Sequence, residues 1–208
     1  MSTATAHSPS ELVREAILDA AQARLLRFGY HKTTMSEIAD DAGMSAANLY
    51  RYFRNKQDIV AECTARCIDE RLGRLRAVVR DTTFSARDKL RRYALELVDD
   101  SHELTAADSM MGELVDAVTR AEPDLLHSKF RAHYDLIAEI LDAGNQAGEF
   151  CVADIHATAR YIFTTFAFFD VPLFVGLYER REFDERANGV VDLLINGLMA
   201  PRSPQTEN

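Results

Sequence analysis

Five polar residues near the N-terminus have types and spacing suited to nucleic-acid binding. Thr34 and Ser45 stand at expected helix N-termini, where free backbone N–H groups and the positive end of the helix dipole attract a phosphate. Tyr50 and Tyr52 each carry a phenol that can lie along a sugar–phosphate wall and donate a hydrogen bond. Lys56 adds a positive charge within reach of the same backbone. The chemistry indicated is noncovalent binding of phosphates.

Two helices joined by a short turn are predicted to position these residues. Thr34 and Glu37 form a T-x-x-E capping box, so a helix should begin at the next residue. Gly43 can adopt the left-handed conformation that ends this helix. Ser45 is a second N-cap only two residues later, which predicts a tight turn and a further helix over residues 46–53.

The second of these helices has a surface suited to a DNA groove. Leu49 and Phe53 lie four residues apart and form one apolar stripe to bury. A helix that is otherwise small and polar can approach base edges in the major groove closely. The small and polar positions are Ala46, Ala47, Asn48, Tyr50, Arg51 and Tyr52. The alternative is a plain three-helix bundle with incidental surface tyrosines.

The charge distribution agrees with this interpretation. The chain carries a formal net charge of −9, which alone does not suggest a nucleic-acid partner. Residues 1–60, however, hold seven Lys or Arg and seven Asp or Glu, and residues 42–57 contain no acid at all. DNA affinity depends on the local field at the phosphates, so a neutral domain with a basic tip is sufficient.

At Gly43–Ile59 the sequence contains the run G-M-S-x-x-x-L-Y-R-Y-F-x-N-K-x-x-I, and with it the chain resembles TetR/AcrR-type transcriptional regulators. The resemblance is specific over residues 11–65. It implies phosphate contacts from Thr34, Ser45, Tyr52 and Lys56. It implies base or groove contacts from Ala46, Ala47, Asn48, Tyr50 and Arg51. The partner implied is double-stranded DNA with a palindromic operator.

The expected fold is all-α with about nine helices, because strand signals are nearly absent. A chain of 208 residues, 47% of them apolar, has room for a small and a larger domain. We expect a helix-turn-helix DNA-binding domain at 8–57 and a helical ligand-binding and dimerisation domain at 58–200. Residues 1–7 and 201–208 are expected to be disordered tails. The start MSTATAHSPSE lacks a secretion signal, which predicts a cytoplasmic protein.

Capping and turn residues set the other expected helix boundaries. Ser8 and Glu11 form a capping box that opens the first helix, which should run to about Phe28. The later boundaries are as follows: a fourth helix from Lys56 to about Val79, a fifth opened by Ser85 to about Asp100, a sixth opened by Thr105 and Asp108, a seventh from Pro123 that ends before Gly148, an eighth capped by Asp154, and a ninth capped by Asp184.

The eighth and ninth predicted helices are more apolar than one core requires. Residues 161–178, YIFTTFAFFDVPLFVGLY, are apolar nearly all round, and the ninth helix shows the same excess over 190–199. A membrane span is the alternative, but Asp170, Pro172 and two threonines interrupt only 18 residues. We expect no membrane association and instead a homodimer through these two helices, as the family resemblance also implies.

The larger domain contains the residues expected to surround a small-molecule effector, since the resemblance implies a ligand cavity between its helices. An aromatic, Met-rich lining would suit an apolar or amphipathic ligand. The candidates are Met110, Met111, Tyr134, Phe163, Phe166, Phe169 and Asp170. For any one of these residues an ordinary core position is the alternative. Asp170 is either a polar group within the pocket or the cap of a helical turn restarting at Pro172.

Other chemistries find little support in the sequence. Cys63 and Cys67 are four residues apart on one helix, which disfavours a disulfide and leaves buried structural cysteines or a thiol sensor. The histidines lack metal-ligand spacing, and no catalytic motif or cofactor-binding loop is found. We therefore expect no bound metal, no cofactor and no enzymatic activity.

The function predicted from the sequence is a sequence-specific regulator, a repressor released from a palindromic operator by a small apolar or amphipathic molecule. Two alternatives come from other classes. One is a DNA-bound adaptor controlled by a protein partner, and the other is a helical enzyme or carrier that uses the helix-turn-helix as an interaction surface.

Overall fold

The computed structural model describes residues 8–106, 123–170, 174 and 177–199. These residues form helices joined by turns and short loops, which confirms the expected all-α fold. The expected number of helices was about nine, and the described residues contain eight. They are α1 (Pro9–Phe28), α2 (Met35–Asp41), α3 (Ala46–Leu49), α4 (Lys56–Arg80), α5 (Ala86–Ala106), α6 (Pro123–Gln146), α7 (Ile155–Asp170) and α8 (Arg180–Leu198).

The chain divides into two compact units. Among the described residues, the first unit holds 8–69 and 123–126, and the second holds 70–106 and the remainder from 127 onward. The first part of α4 belongs to the first unit because Ile59, Val60 and Cys63 are buried in its core. The division expected after residue 57 stays a prediction.

The first unit is built on two capping boxes. The Ser8 hydroxyl accepts a hydrogen bond from the Glu11 backbone N–H at 3.2 Å, and the Glu11 carboxylate accepts one from the Ser8 N–H at 2.5 Å. The same reciprocal pair occurs between Thr34 and Glu37 at the start of α2. Side chains behind these caps form one apolar core across α1, α2, α3 and α4, which includes Ile17, Leu18, Ala21, Leu25, Ile38, Ala39, Leu49 and Phe53.

The helix expected over residues 46–53 is shorter than predicted. Regular α-helix ends at Leu49, and the N–H groups of Arg51 and Tyr52 donate to carbonyls three residues earlier, at 3.1 and 2.9 Å. This tighter winding is a common way for a helix to end. The Phe53 N–H still donates to the Leu49 carbonyl at 3.1 Å. The turn therefore keeps Leu49 and Phe53 on the same buried side.

The second unit is formed around α5, which packs against both α7 and α8. Its core-facing residues Leu90, Tyr93, Ala94, Leu97 and Val98 are all fully buried. The Asp154 cap at the start of α7 is confirmed, since its carboxylate accepts from the Ala157 N–H at 2.8 Å. The end of α6 before Gly148, which has a φ of +71°, is confirmed as well.

Two expected boundaries in this unit are wrong. Helix α5 continues six residues past Asp100, so Thr105 lies inside it and does not open a new helix; Asp108 lies outside the described residues. The first residue of this continuation contacts another helix, since the Ser101 hydroxyl donates to the Phe169 carbonyl of α7 at 2.6 Å. Helix α8 begins at Arg180 rather than after Asp184. The Arg180 side chain donates to Asp184 at 3.1 Å and so stabilises the additional first turn.

The predicted eighth and ninth helices correspond to α7 and α8. Of the segment 161–178, residues 171–173, 175 and 176 lie outside the described residues. Within the described ranges, no helix combines the length and the apolar character that a bilayer crossing needs.

Candidate DNA-binding surface and ligand site

The turn between α2 and α3 places a helix N-terminus at the surface. Gly43 has a φ of +69°, a conformation that glycine adopts without steric cost, and it ends the first helix as expected. The Ser45 hydroxyl accepts from the Asn48 N–H at 3.2 Å, which confirms the predicted second cap. The capped turn of α3 therefore begins at the surface, where Ser45 and Ala47 are exposed.

The predicted base-contacting residues divide by exposure on this short helix. Ala47, Tyr50 and Arg51 are exposed, and the Tyr50 side chain keeps 54% of its accessible surface. Ala46 and Asn48 are half-buried. A large aromatic residue more than half exposed beside an arginine is suited to contacts with a groove. Their contacts with DNA stay a prediction.

Leu49 and Phe53 hold this surface to the core. Leu49 is fully buried and Phe53 is 2% exposed, so the apolar stripe predicted for the second helix is confirmed. Tyr52 is half-buried and packs against the same core. Its phenol is therefore less accessible than that of Tyr50.

The predicted phosphate-binding residue Thr34 already has a partner. Its hydroxyl and its N–H both donate to the Glu37 carboxylate, at 2.7 and 2.9 Å. These hydrogen bonds from Thr34 lower the pKa of Glu37. The positive end of α2 therefore carries a carboxylate, and the expected phosphate contact of Thr34 stays a prediction.

Lys56 has a structural role that sequence reasoning did not anticipate. Its ammonium donates to the carbonyls of Tyr30 and Thr33, at 2.6 and 2.8 Å, and lies 4.0 Å from the centre of the Tyr30 ring. Partial burial lowers the pKa of Lys56. Two of its three donors thus connect the start of α4 to the loop before α2, and its phosphate contact stays a prediction.

Arg14 is a further residue of this surface that sequence reasoning missed. Its guanidinium donates to the Tyr52 carbonyl at 3.1 Å and to Glu62 at 2.6 Å, and it lies 4.3 Å from the centre of the Phe53 ring. It therefore connects α1, α4 and the turn that follows α3. No local pattern in the sequence indicated this role, because its partners are 38 and 48 residues away.

The second unit contains a layer of buried aromatic residues. Phe163, Phe166 and Phe169 are at most 3% exposed, so their shared face is turned inward as their spacing indicated. His133 stacks on Phe163 with ring centres 4.4 Å apart, and Tyr134 meets the same ring edge-on at 5.6 Å. Whether these residues contact a ligand stays a prediction, and Met110 and Met111 lie outside the described residues.

A buried hydrogen bond continues this layer. The Tyr93 hydroxyl and His133 Nδ1 are 2.6 Å apart, and the Tyr93 ring stacks on Phe166 with centres 6.2 Å apart. Burial, opposed in part by the Asp170 carboxylate, lowers the pKa of His133 to about 4. The imidazole is therefore neutral at pH 7, and His133 adds no charge to the aromatic layer.

Charged residues adjoin the aromatic layer at the end of α7. The Asp170 carboxylate accepts from Arg71 at 2.9 Å and from Lys129 at 2.6 Å. Arg71 also donates to Asp100 at 3.0 Å, and Arg74 pairs with Asp100 as well. We call these five residues the buried ion network. Burial alone would raise the pKa of Asp170, but Lys129 and Arg71 hold it below its ordinary value.

This environment bears on the two interpretations of Asp170. Its carboxylate is 4% exposed and faces the cations of α4 and α6, which makes it a polar group of the interior. Sequence reasoning named Asp170 but missed Arg71, Lys129 and Asp100, because nothing in their local patterns marks them as neighbours.

An open groove lies elsewhere in the second unit. It has a volume of about 760 Å³ and follows the second half of α6 and the start of α7. Its lining is mainly acidic and small: Asp135, Ala138, Glu139, Asp142, Ala153, Asp154, Ile155 and His156. The aromatic candidates Phe163, Phe166 and Phe169 do not line it.

Comparisons with known proteins cover both units. The family described as "Bacterial regulatory proteins, tetR family" matches residues 17–63, and "Tetracyclin repressor-like, C-terminal domain" matches residues 86–191. The fatty acid metabolism regulator protein of Bacillus subtilis (strain 168) is 26% identical over 190 residues, which cover 88% of this chain and 93% of that protein.

A further relative and a solved structure of the same fold match this chain over most of their own length. The HTH-type transcriptional repressor KstR2 of Rhodococcus jostii (strain RHA1) is 29% identical over 140 residues, 66% of this chain and 67% of that protein. The crystal structure of the transcriptional regulator FadR from Bacillus subtilis in complex with stearoyl-CoA has a TM-score of 0.61 at 24% identity. The match covers 88% of this chain and 98% of the FadR chain.

Proposed function

The chain belongs to the TetR family of bacterial regulatory proteins and is a DNA-binding transcriptional regulator rather than an enzyme; from this premise we propose that it is a homodimeric repressor. In this proposal the dimer binds a palindromic operator and is released by an amphipathic molecule with a long acyl chain. It acts in the cytoplasm, where the chromosome is.

The observation that carries the DNA-binding part is the construction of α3. A single helical turn, capped by Ser45 and held by buried Leu49 and Phe53, presents Ala47, Tyr50 and Arg51 to solvent. Small residues permit close approach to the groove, and Arg51 can make a bidentate contact with a guanine edge. The absence of acids over 42–57 leaves the local field favourable to phosphates.

Exposed apolar residues on α7 and α8 support the dimer. Leu193 is 76% exposed and Tyr161 is 69% exposed, although both lie on helices of the second unit's core. Gly189 and Gly197 are four residues before and after Leu193, so the three share one face of α8, and space beyond both glycines is open. A second copy of the chain can approach this face closely, and a two-fold pairing would present recognition helices about 34 Å apart.

The acyl ligand is proposed from the aromatic layer and from the relatives. The layer formed by Tyr134, Phe163 and Phe166 is the apolar surrounding that a hydrocarbon chain prefers. A relative similar over nearly the whole chain is a fatty acid metabolism regulator, and a structure with the same fold contains stearoyl-CoA.

Helix α4 is the proposed connection between ligand and DNA. One continuous helix contributes Ile59, Val60 and Cys63 to the first unit's core and Arg71 to the buried ion network of the second. A ligand that favours a different position of α4 would therefore change the spacing of the recognition helices. A coupling free energy of ~1–3 kcal/mol would lower operator affinity by about 5- to 150-fold.

The test has a DNA part and a ligand part. Fragments bound by the wild type are selected from genomic DNA, in parallel with the Asn48→Ala/Tyr50→Ala variant and with Lys32→Ala as an exposed control. A palindrome recovered by the wild type and by the control, but not by the double variant, supports the proposal. The same palindrome recovered equally by all three proteins would contradict the assignment of α3.

The recovered operator is then titrated with acyl compounds. Release by long-chain acyl compounds, and not by short-chain ones, supports the ligand class. Operator binding that responds to no acyl compound would reject that class and favour control by a protein partner.

A further inference from the structure

The buried ion network contains a ready-made carboxylate site. Arg71 on α4 and Lys129 on α6 both donate to Asp170, each to a different carboxylate oxygen. Their side chains are 12% and 14% exposed, so both cations are largely removed from water. Two cations on separate helices thus converge on a single carboxylate supplied by a third helix.

This site adjoins the apolar layer on one side. Phe169 and Phe166 precede Asp170 on α7 by one and four residues, and both are buried. Burial raises the pKa of Tyr93, a ring of this layer, and the neighbouring Asp170 carboxylate acts in the same direction. A charged group at this position and an apolar chain along the aromatic rings would match the two halves of an amphiphile.

The charges of this site are costly to bury, and folding stability alone is a weak reason for them. A buried ion pair repays the loss of hydration poorly, and apolar residues of similar volume often stabilise a core as well or better. An incoming anion that accepted hydrogen bonds from Arg71 and Lys129 would replace the Asp170 carboxylate on the same two donors. Arg71 would keep its bond to Asp100 after such a change.

We propose that Arg71 and Lys129 bind the anionic group of the effector, which takes the place of the Asp170 carboxylate. The inference rests on the proposed function, because it concerns the ligand of the same unit. The exchange is noncovalent: one carboxylate or phosphate oxygen group replaces another on the same donors. It releases Asp170 of α7 from Arg71 of α4, and so links ligand binding to the helix that enters the DNA-binding unit.

The test compares three ligands with the same sixteen-carbon chain on the full-length protein. Hexadecanoate has a carboxylate, hexadecanoyl-CoA has phosphates, and hexadecan-1-ol has no charge. Radiolabelled ligands are measured by equilibrium dialysis on the wild type, Lys129→Met and Arg131→Met. Arg131 is exposed on the same helix and serves as the matched control. Thermal unfolding of each variant establishes that it is folded.

The expected result is a preference for anions that depends on Lys129. The wild type and Arg131→Met should bind at least one anionic ligand about tenfold or more tightly than the alcohol, the range of a charge-assisted hydrogen bond. Lys129→Met should bind the two kinds within about threefold of each other. The anion preferred by the wild type, carboxylate or CoA phosphate, identifies the source of the charge.

A second variant keeps the test decisive if Lys129→Met does not fold. Asp170→Asn removes the internal competitor and leaves both cations, so it should bind the preferred anion several-fold more tightly than the wild type. Unchanged or weaker binding by Asp170→Asn would overturn the inference.

Two further outcomes separate this inference from the proposed function. Equal binding of acid and alcohol by the wild type, or an anion preference retained by Lys129→Met, would overturn the inference while leaving an acyl-responsive repressor in place. If no ligand of the three binds and none releases the operator, the acyl class itself fails and the inference fails with it.

Discussion

The ammonium of Lys56 donates a hydrogen bond of 2.6 Å to the carbonyl oxygen of Tyr30, 26 residues earlier in the chain. A second bond of 2.8 Å to the Thr33 carbonyl connects it to the loop before α2. A residue that the sequence marks as a phosphate ligand is thus also a support of the DNA-binding unit. The charge of Lys56 would affect DNA affinity, whereas its hydrogen bonds affect folding stability.

Lys56→Met should destabilise the first unit. Loss of two charge-assisted hydrogen bonds, to the carbonyls of Tyr30 and Thr33, is expected to lower the free energy of unfolding by about 1–3 kcal/mol. Lys32→Met removes an exposed lysine of the neighbouring loop and should change it by less than about 0.5 kcal/mol. Urea unfolding of both variants measures the difference. Equal stability of the two would show that the Lys56 bonds contribute nothing net.

Arg14→Met should weaken operator binding without removing a phosphate contact. Arg14 holds the turn after α3 through the Tyr52 carbonyl and the Phe53 ring, so its loss should lower affinity about tenfold at every salt concentration. Arg54, 95% exposed at the edge of the same surface, is the comparison. If Arg54 neutralises a phosphate, Arg54→Met should reduce the salt dependence of binding by about one unit of slope. A reduced salt dependence of operator binding for Arg14→Met would instead indicate that Arg14 contacts a DNA phosphate directly.

Leu193→Asp should separate the proposed dimer. A charge at the centre of the Gly189–Gly197 face would be buried without a partner, so the dissociation constant of the dimer should rise about 100-fold or more. Arg181→Asp, at a side chain 89% exposed on the same helix, should leave it unchanged. Sedimentation equilibrium gives both constants. A Leu193→Asp protein that remains dimeric at wild-type affinity would place the interface elsewhere.

Because of His133, the free energy of unfolding should decrease as the pH is lowered from about 6.5 to about 4. Its folded pKa of about 4 lies below its ordinary value of 6.5, since burial favours the neutral imidazole. In this range the unfolded chain binds a proton that the folded chain does not, so stability is full above pH 6.5 and declines as the pH falls. The loss approaches about 3 kcal/mol near pH 4.

His133→Gln should lack this part of the pH dependence. The difference between the two proteins in urea unfolding, taken at pH 7.5, 6.5, 5.5 and 4.5, isolates it from other groups. Asp170, whose pKa is held below 3.8 despite its burial, contributes only below this window. Parallel curves for the two proteins would contradict the burial of a neutral imidazole.

Cys63 should be inert to thiol reagents in the folded protein. Burial raises its pKa from 9.0 to about 12, which leaves about a thousandfold less thiolate at neutral pH, and its thiol donates to the Leu18 carbonyl at 3.6 Å. Cys151 is exposed and should react at once. Maleimide labelling followed by mass spectrometry distinguishes them. Rapid labelling of Cys63 would revive the alternative of a thiol sensor.

Local sequence determined the helix starts of the DNA-binding unit. The bonds from Glu37 and Asn48 N–H groups to the hydroxyls of Thr34 and Ser45 each span three residues, so the pattern that predicts them also contains both partners. Gly43 likewise ends α2 through its own conformational freedom. The buried stripe of Leu49 and Phe53 follows from helical spacing alone. Together with the family resemblance, these features were enough for the fold and the class of function.

Helix ends depended on contacts that local sequence does not contain. Helix α5 continues past Asp100, where Ser101 bonds to the Phe169 carbonyl, 68 residues away. Helix α8 begins one turn earlier than predicted, at Arg180, which pairs with Asp99 as well as with Asp184. In both cases a partner on another helix stabilises the additional residues.

The side chains that hold both candidate sites in place could be identified only from the tertiary structure. Arg14 meets the Tyr52 carbonyl across 38 residues, and Arg71 meets Asp170 across 99. The periodicity of a sequence does not indicate such a pair. The two groups interact strongly only after folding has removed both from water and brought them together. The sequence by itself therefore determined which residues can face DNA, whereas the packing of helices decided which charges hold them and which charges lie beside the aromatic layer.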